Sequence, residues 1–395
     1  MRILCVNDGV GDAGGVQRYL TAVSGALRAR GHDVALLHLD ALRRADESPV
    51  GPDAAHFCVT QLGEEAALAA AARWRPTVVF SHNMRALSVE QRLVERWPVA
   101  KMMHGYFGTC IGGQKMHGFP GRVACGRRFG PACVVLYLPR HCGQWSVTKL
   151  AEQYGWTRAQ HALFARYAAM LVASDHMRDE YARNGMTASR IVVNPLFAAE
   201  VPPHPAPAPS EFRVVFLGRM TALKGGDVLI RAVARANAQV RAPIALTMAG
   251  DGPSREAWQA LSASLGVSAA FPGWVDAGER QALYAAASVV AVPSLWPEPF
   301  GLTGLEGGAY GAPALAFDVG GIRAWLRDGV NGWLVPAGHG ERGLADRLVA
   351  IQGQPAELQT MRTGARRVAE ELSLDRHVAG VERVLADAGA RGAAA

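Results

Sequence analysis

The sequence predicts an α/β protein of two Rossmann-like domains whose parallel sheets face one another across a cleft. Three observations carry this. The chain has 395 residues, roughly twice the length of a typical single domain. Strand and helix patterns alternate along both halves, as a parallel sheet requires. Five prolines in the nine residues from Val201 to Pro209 separate the halves, and such a run neither continues a helix nor donates to a central strand.

In order, residues 3–6 read as a short buried strand, Asn7 to Gly15 as a Gly-rich loop, and Val16 to Arg30 as a helix. Gly31-His32-Asp33 closes that helix and Val34 to Leu39 is the next strand, which completes a βαβ unit. Helices follow near Glu64–Arg73 and Val89–Trp97, with strands at Thr77–Phe80 and Ala100–Met103, the latter ending in His104-Gly105. From Tyr106 to about Gly143 the alternation breaks into a Gly-, Arg- and Cys-rich stretch without a strand or helix pattern, the mark of a functional insertion. Beyond the proline run, strands are expected at Arg213–Leu217, Ile244–Ala249, Ala269–Phe271, Val289–Val292 and Ala314–Ala316. The expected domains are 1–200 with the insertion at about 106–143, a linker at 201–210, a second domain at 211–374, and a C-terminal helix at 375–395 that packs back on the first.

Hydrophobic residues make up 50% of the chain and charged residues 19%, enough to build two cores and too apolar for disorder. The net charge of +7 favours anionic ligands or surfaces without choosing among them. Nucleic acid is not an expected partner, because there is no helix-turn-helix, zinc-finger spacing, RNA-binding aromatic signature or dense basic block. The apolar run after Met1 is too short for a signal-peptide core, and no run reaches the roughly 20 residues a membrane helix needs. A cytoplasmic protein is therefore expected, with any membrane contact peripheral.

In a Rossmann-like domain ligands bind at the carboxyl ends of the strands, and the chemistry-bearing motifs fall there. Gly9 to Gly15 would let backbone amides approach a phosphate at a helix start, although a ligand-free tight turn has the same spacing. A nicotinamide site would need an acidic residue after the second strand, where Asp40 is the only candidate, so a dehydrogenase is a minor alternative. Gly218-Arg219-Met220-Thr221-Ala222-Leu223-Lys224 places a guanidinium fork and an ammonium five residues apart at a strand-to-helix turn, suited to gripping a diphosphate. A solvated basic turn is the plainer reading. Glu298 and Glu306 flank a Pro/Gly turn and a helix start. There the amides of Gly301, Leu302 and Thr303 suit a diphosphate and the carboxylates suit sugar hydroxyls, while ordinary helix capping is the alternative.

The ordered set resembles the family-4 retaining glycosyltransferases of GT-B fold. It comprises Gly14-Gly15, His104, Asn194-Pro195, Gly218-Arg219 with Lys224, Ala249-Gly250-Asp251-Gly252-Pro253, Phe271-Pro272-Gly273-Trp274-Val275, Pro293-Ser294 through Glu306, Gly311-Ala312-Pro313, Gly320-Gly321 and Asp328 to Val335. The resemblance implies that Arg219 and Lys224 hold the donor diphosphate, Glu306 the ribose and Glu298 the sugar hydroxyls. Gly14, Gly15, Gly218, Gly250, Phe300 and the amides of Gly301, Leu302 and Thr303 would line the donor site. Trp274 and Val275 would border the base, and His104 would lie beside the reacting sugar. It implies a nucleotide-sugar donor, a saccharide or lipid-linked acceptor in surface polysaccharide or glycolipid assembly, and no cofactor or metal. An epimerase or phosphorylase of the same fold, or a non-catalytic sugar-nucleotide binder, are the alternatives. Two departures bear on sugar selectivity: Gly307-Gly308 follows Glu306 where an Ala-containing stretch is usual, and Arg323 stands where an acidic residue commonly follows the Gly-Gly turn.

Cys110, Cys125, Cys133 and Cys142 cluster in the insertion with His104, His117 and His141. There is no Cys-x-x-Cys pair, so buried or free thiols are expected, with zinc and disulfides as the alternatives. Lys115, Arg122, Arg127, Arg128 and Arg140 make the stretch basic, which suits a lipid-phosphate acceptor or an anionic membrane face as well as a solvated loop.

Overall fold

The computed structural model describes residues 1–9, 14–40, 48–204 and 206–393. The chain forms two compact units, one of Met1–Lys115, Gly126–Pro195 and Leu374–Ala395 and the other of Met116–Cys125 and Leu196–Ser373. In chain order the strands are β1 (Arg2–Asn7), β2 (Asp33–His38), β3 (His56–Cys58), β4 (Val78–Ser81), β5 (Val99–Met103), β6 (Met116–His117), β7 (Val123–Ala124), β8 (Ala169–Val172) and β9 (Ile191–Val193). The second half supplies β10 (Arg213–Leu217), β11 (Ala245–Ala249), β12 (Ala269–Gly273), β13 (Val289–Val292), β14 (Ala314–Phe317) and β15 (Gly332–Val335).

The first unit holds a seven-stranded sheet in the order β3-β2-β1-β4-β5-β8-β9, with every neighbouring pair parallel. The second holds a six-stranded sheet in the order β12-β11-β10-β13-β14-β15, also parallel throughout. The expected pair of Rossmann-like parallel sheets is thus present. Central strands such as β4 (VVFS) and β13 (VVAV) are buried along their whole length because helices cover both faces, which is why they read as unbroken apolar runs rather than alternating ones. In each sheet the strand order reverses beside the first strand, at β1/β4 and at β10/β13. Loops leaving two adjacent carboxyl ends part there and leave room for a ligand.

Three features lie outside the sequence reading. The insertion was expected without regular structure, yet it carries the β6–β7 hairpin and a short helix at Ala132–Tyr137. That helix has its own small core: Tyr137 packs with Ile111 and Leu150, and Cys133 and Cys142 pack against them. Six residues between prolines and glycines are too few to display a helical period. Second, the proline run, read as a linker, groups with the second unit. Arg362 donates to the carbonyls of Ala206 at 2.9 Å and Pro207 at 3.3 Å, and Arg366 to that of Pro202; Pro205 lies outside the described residues. Third, Lys115, counted among the surface cations, is buried and paired with Glu180 at 2.6 Å. The C-terminal helix Leu374–Ala393 belongs to the first unit, where Val378, Val381 and Leu385 are buried against the helix Gly15–Ala29 and β4.

The Gly307-Gly308 departure has a packing cause. A Cβ on Gly304 would sit 2.1 Å from Cη2 of buried Trp325, one on Gly307 2.5 Å from Cγ2 of Val290, and one on Gly308 3.0 Å from the Ala365 carbonyl. The helix Leu302–Ala309 therefore lies against three neighbours at backbone distance. Gly307→Ala is expected to destabilise by about 1–3 kcal/mol through overpacking, and Val290→Ala in the same chain should recover most of it. Urea unfolding of the two single variants and the double reads the coupling directly. Strict additivity would contradict the contact.

Candidate functional site

The β10/β13 switch point explains how Lys224 and Glu298, 74 positions apart, come together. The loop after β10 and the loop after β13 are tied by the Leu295 amide donating to the Leu223 carbonyl at 2.8 Å. They approach so closely at Gly225 (φ 66°) that a Cβ would stand 2.0 Å from the Pro293 carbonyl oxygen. On this base the Lys224 ammonium donates to Glu298 Oε1 at 2.6 Å, with its Nζ 5.4 Å from the centre of the Trp296 ring. Glu298 is only 4% exposed, and Ser294 Oγ donates to the same oxygen. Oε2 accepts no hydrogen bond among the described residues, so one carboxylate oxygen is fixed and the other is open to a hydroxyl. Lys224 keeps further N–H donors beyond the one given to Glu298. Gly320 holds the opposite side: a Cβ there would meet the Glu298 backbone at 2.4 Å, and the Gly321 amide donates to the Glu298 carbonyl at 2.6 Å.

Arg219 is exposed, and its guanidinium has no hydrogen-bond or ion-pair partner among the described residues. Its neighbour Gly218 donates to the Ala249 carbonyl at 3.0 Å, and Gly250 donates to that of Gly273 at 2.7 Å. A Cβ on Gly250 would meet the Gly218 carbonyl at 2.1 Å, so these glycines let three successive strand ends touch. Trp274 continues from β12 with 73% of its surface exposed, and Val275 beside it is half-buried.

Gly301 adopts a left-handed conformation (φ 81°, ψ 51°) that turns the chain into the helix Leu302–Ala309. Phe300 is buried, and its carbonyl accepts from Trp325 Nε1 at 2.7 Å, which fixes the turn. Leu302 and Thr303 are half-buried and contribute first-turn amides, which a helix start leaves without intrahelical acceptors. One turn further on, Glu306 Oε2 accepts from the Tyr284 hydroxyl at 2.8 Å. Arg323, the second departure, makes a two-toothed pair with Asp318 at 2.8 and 2.6 Å.

In the first unit, Val10 to Ala13 of the glycine loop lie outside the described residues. Gly14 (φ 149°) caps the helix Gly15–Ala29, and among the described residues no atom comes within 4 Å of a Cβ placed on Gly15. His104 follows β5, with Nε2 3.1 Å from Nδ1 of His82. Tyr19 from the helix Gly15–Ala29 packs edge-on against His104 at 5.1 Å and reaches Nε2 of His377 at 2.8 Å. His377 Nδ1 lies 2.7 Å from the Pro195 carbonyl and donates to it, so Tyr19 donates to Nε2.

His104 keeps some exposed surface yet is densely enclosed. Desolvation, then Lys101 and His377, push its pKa down to about 3; burial takes His377 to about 4, and burial with His104 and Lys101 lowers His82 well below its ordinary value. All three are neutral in the native protein near neutrality. The unfolded chain takes up their protons below about pH 6.5, so stability rises with pH across that range and is lost as pH falls toward 4. Each histidine should contribute on the order of 1 kcal/mol per pH unit. Urea midpoints measured from pH 7 to pH 5 should therefore fall, and by less in His377→Gln; a flat profile would contradict neutral burial.

All six cysteines are free thiols, and no group of three or more His, Cys, Asp or Glu is placed to hold a metal ion among the described residues. No helix there is long and apolar enough to cross a membrane. The sequence reading assigned no role to Ser294, Trp296, Tyr284, Tyr19, His82 or His377. Only Ser294 and Trp296 stood inside one of its motifs.

Residues 211–353 match the family Glycosyl transferases group 1, and residues 13–197 match Glycosyltransferase Family 4. A D-inositol 3-phosphate glycosyltransferase of Kribbella flavida is 41% identical over 160 residues, covering 38% of this chain and 37% of the relative. Anabaena HepE in complex with UDP and glucose superposes with a TM-score of 0.70 at 19% identity, covering 98% of this chain and 99% of HepE. Sucrose-phosphate synthase from Thermosynechococcus elongatus superposes with a TM-score of 0.70, also at 19% identity, covering 99% and 100%. With both halves matched by the two families and the fold shared with GT-B structures, the chain belongs to the family-4, group 1 glycosyltransferases.

Proposed function

We propose that the protein is a retaining glycosyltransferase that moves a sugar from a nucleotide diphosphate to an acceptor hydroxyl. The observation that carries this reading is the Lys224–Glu298 pair at the β10/β13 switch point, with the unpartnered Arg219 on the same loop. As the bond between the anomeric carbon and the phosphate oxygen breaks, negative charge grows on the departing diphosphate. Arg219, Lys224 and the amides of Gly301 to Thr303 would meet that charge with groups already in place. The open oxygen of Glu298 takes a sugar hydroxyl, and Glu306, oriented by Tyr284, takes the ribose. Trp274 and Val275 border the base, with Gly218 and Gly250 keeping the pocket floor free of side chains. In the first unit Gly14 and Gly15 form a helix start suited to an anion, and His104 is a neutral hydrogen-bonding group.

The acceptor oxygen attacks from the face the diphosphate leaves, and its proton passes to the departing phosphate oxygen. Neither carboxylate acts as general acid, in contrast to the two-carboxylate glycosidase scheme. With Arg219 and Lys224 as counter-ions, the reaction uses no cofactor and no metal. The Anabaena protein's complex with UDP and glucose supports a nucleoside diphosphate sugar as donor. The acceptor is a saccharide or lipid-linked hydroxyl, and the setting is polysaccharide or glycolipid assembly in the cytoplasm.

The test is a screen of UDP-, GDP- and ADP-sugars for binding and slow hydrolysis, with the anomeric configuration of the released sugar followed by NMR. One donor should bind and be cleaved with its configuration kept. Inverted product, or no binding of any donor, would overturn the reading.

A further inference from the structure

Between Glu95 and Glu152 the sequence contains eight Lys or Arg and no Asp or Glu. Four of the eight are ion-paired: Lys101 is buried on Glu90, Lys115 is buried on Glu180, Arg122 pairs with Asp227 and Lys149 with Glu152. Arg127, Arg128 and Arg140 are exposed, and their guanidiniums have no ion-pair or side-chain hydrogen-bond partner among the described residues. They border the short helix Ala132–Tyr137 and the turn that leads to the helix Val147–Ala162.

The same segment turns its apolar residues the wrong way for a solvated loop. Tyr137 and Leu150 are buried and the Tyr137 hydroxyl donates to Gln153 at 2.7 Å, so the inner face is pinned. On the outside, Val135 is 74%, Trp145 70% and Val147 67% exposed, with the Trp145 ring packed on His141 at 4.8 Å. Three large apolar side chains thus stand exposed within thirteen residues of a segment whose inner residues are pinned and which also carries three unpaired arginines. A tryptophan at the water boundary beside cations matches the interface of a lipid bilayer, where the ring sits at headgroup level and guanidiniums take lipid phosphates.

We propose that this surface docks the protein onto an anionic lipid bilayer, with Val135, Trp145 and Val147 entering the interface and Arg127, Arg128 and Arg140 binding headgroup phosphates. The charge pattern decides for a membrane over a protein partner: a stretch without a single carboxylate presents nothing to a partner's cations and suits a uniformly anionic sheet. The docking is separate from sugar transfer and involves none of the donor-site residues.

The test uses the full chain in vesicle co-sedimentation, with phosphatidylcholine alone and phosphatidylcholine mixed with phosphatidylglycerol. Wild type should bind only the mixed vesicles, and salt should weaken binding. Arg127→Gln/Arg128→Gln/Arg140→Gln should bind on the order of a hundredfold more weakly, and Trp145→Ser/Val135→Ser should also detach. A charge-matched control, Arg241→Gln/Arg342→Gln/Arg391→Gln, should bind as wild type. Failure of wild type to bind the mixed vesicles, equal loss in the control, or a patch-dependent self-association seen by size-exclusion chromatography in place of vesicle binding would each overturn the proposal. Nucleotide-sugar binding measured on the same variants should stay unchanged. Loss of donor binding in every protein, wild type included, would count against the transfer reading and leave the docking result standing.

Discussion

Lys224→Ala is expected to lower turnover of the nucleotide sugar on the order of 10²- to 10³-fold, the usual effect of removing one fixed donor from a developing oxyanion. The loss should fall on kcat more than on KM, because in the proposed reaction charge on the diphosphate grows as the bond breaks. Removing Lys224 also leaves the Glu298 carboxylate, 4% exposed, with only the Ser294 hydroxyl on its fixed oxygen. A modest fall in thermal stability should accompany the kinetic loss. Lys224→Ala with Glu298→Gln separates the two effects: the amide carries no charge, so stability should return while turnover stays low. Steady-state donor hydrolysis and thermal melting of the two variants measure both quantities. Wild-type turnover in Lys224→Ala would remove the residue from the chemistry.

Lys101→Met should strongly destabilise the first unit, costing about 3–5 kcal/mol. Glu90 is 0% exposed and Lys101 3%, and they meet at 2.9 Å. Ser81 donates to both Glu90 oxygens at 2.9 and 2.8 Å, and the Tyr167 hydroxyl donates to Oε1 at 3.1 Å. Methionine fills similar volume but leaves a buried carboxylate facing hydroxyls alone. Against a typical total of about 5–15 kcal/mol, such a loss would put much of the unit near its unfolding midpoint. Lys101→Met/Glu90→Leu should recover part of it, since the Tyr167 and Ser81 hydroxyls then lack their acceptor. Urea denaturation followed by circular dichroism reads these steps; a loss under about 1 kcal/mol in the single variant would mean that Glu90 accepts a proton instead.

The turns after β10 and β13 were legible because each is local. Gly218-Arg219 to Lys224 and Glu298 to Glu306 are short turns at strand ends, where residue type reports backbone geometry. Their partners were not legible for the same reason. Ser294 meets Glu298 four residues away, yet Tyr284 reaches Glu306 across 22 positions, and Tyr19 reaches His377 across 358. Nothing in the local sequence distinguishes those residues from ordinary core aromatics and helix histidines. Strands β1, β2, β4, β5 and β10 to β14 were read to within a few residues, as buried runs bounded by turn signals. Strand β15, GWLV, passed as part of a motif, and β3 has only three residues. The helix Ala132–Tyr137 was hidden because Val134 and Val135 face outward and break the pattern that marks a helix.

The three glycines of the helix Leu302–Ala309 have a wider meaning than close packing. With Trp325, Val290 and Ala365 seated against the bare backbone of Gly304, Gly307 and Gly308, the middle of this segment has little room in which to shift. An arriving anion would meet dipoles that stand in the same directions whether the pocket is full or empty, so little of its affinity is lost to ordering the receptor. Changes in ligand preference would then have to arise at the ends of the segment, from the side chains around Glu298 and Thr303, because the middle can absorb almost no substitution without moving the amides themselves.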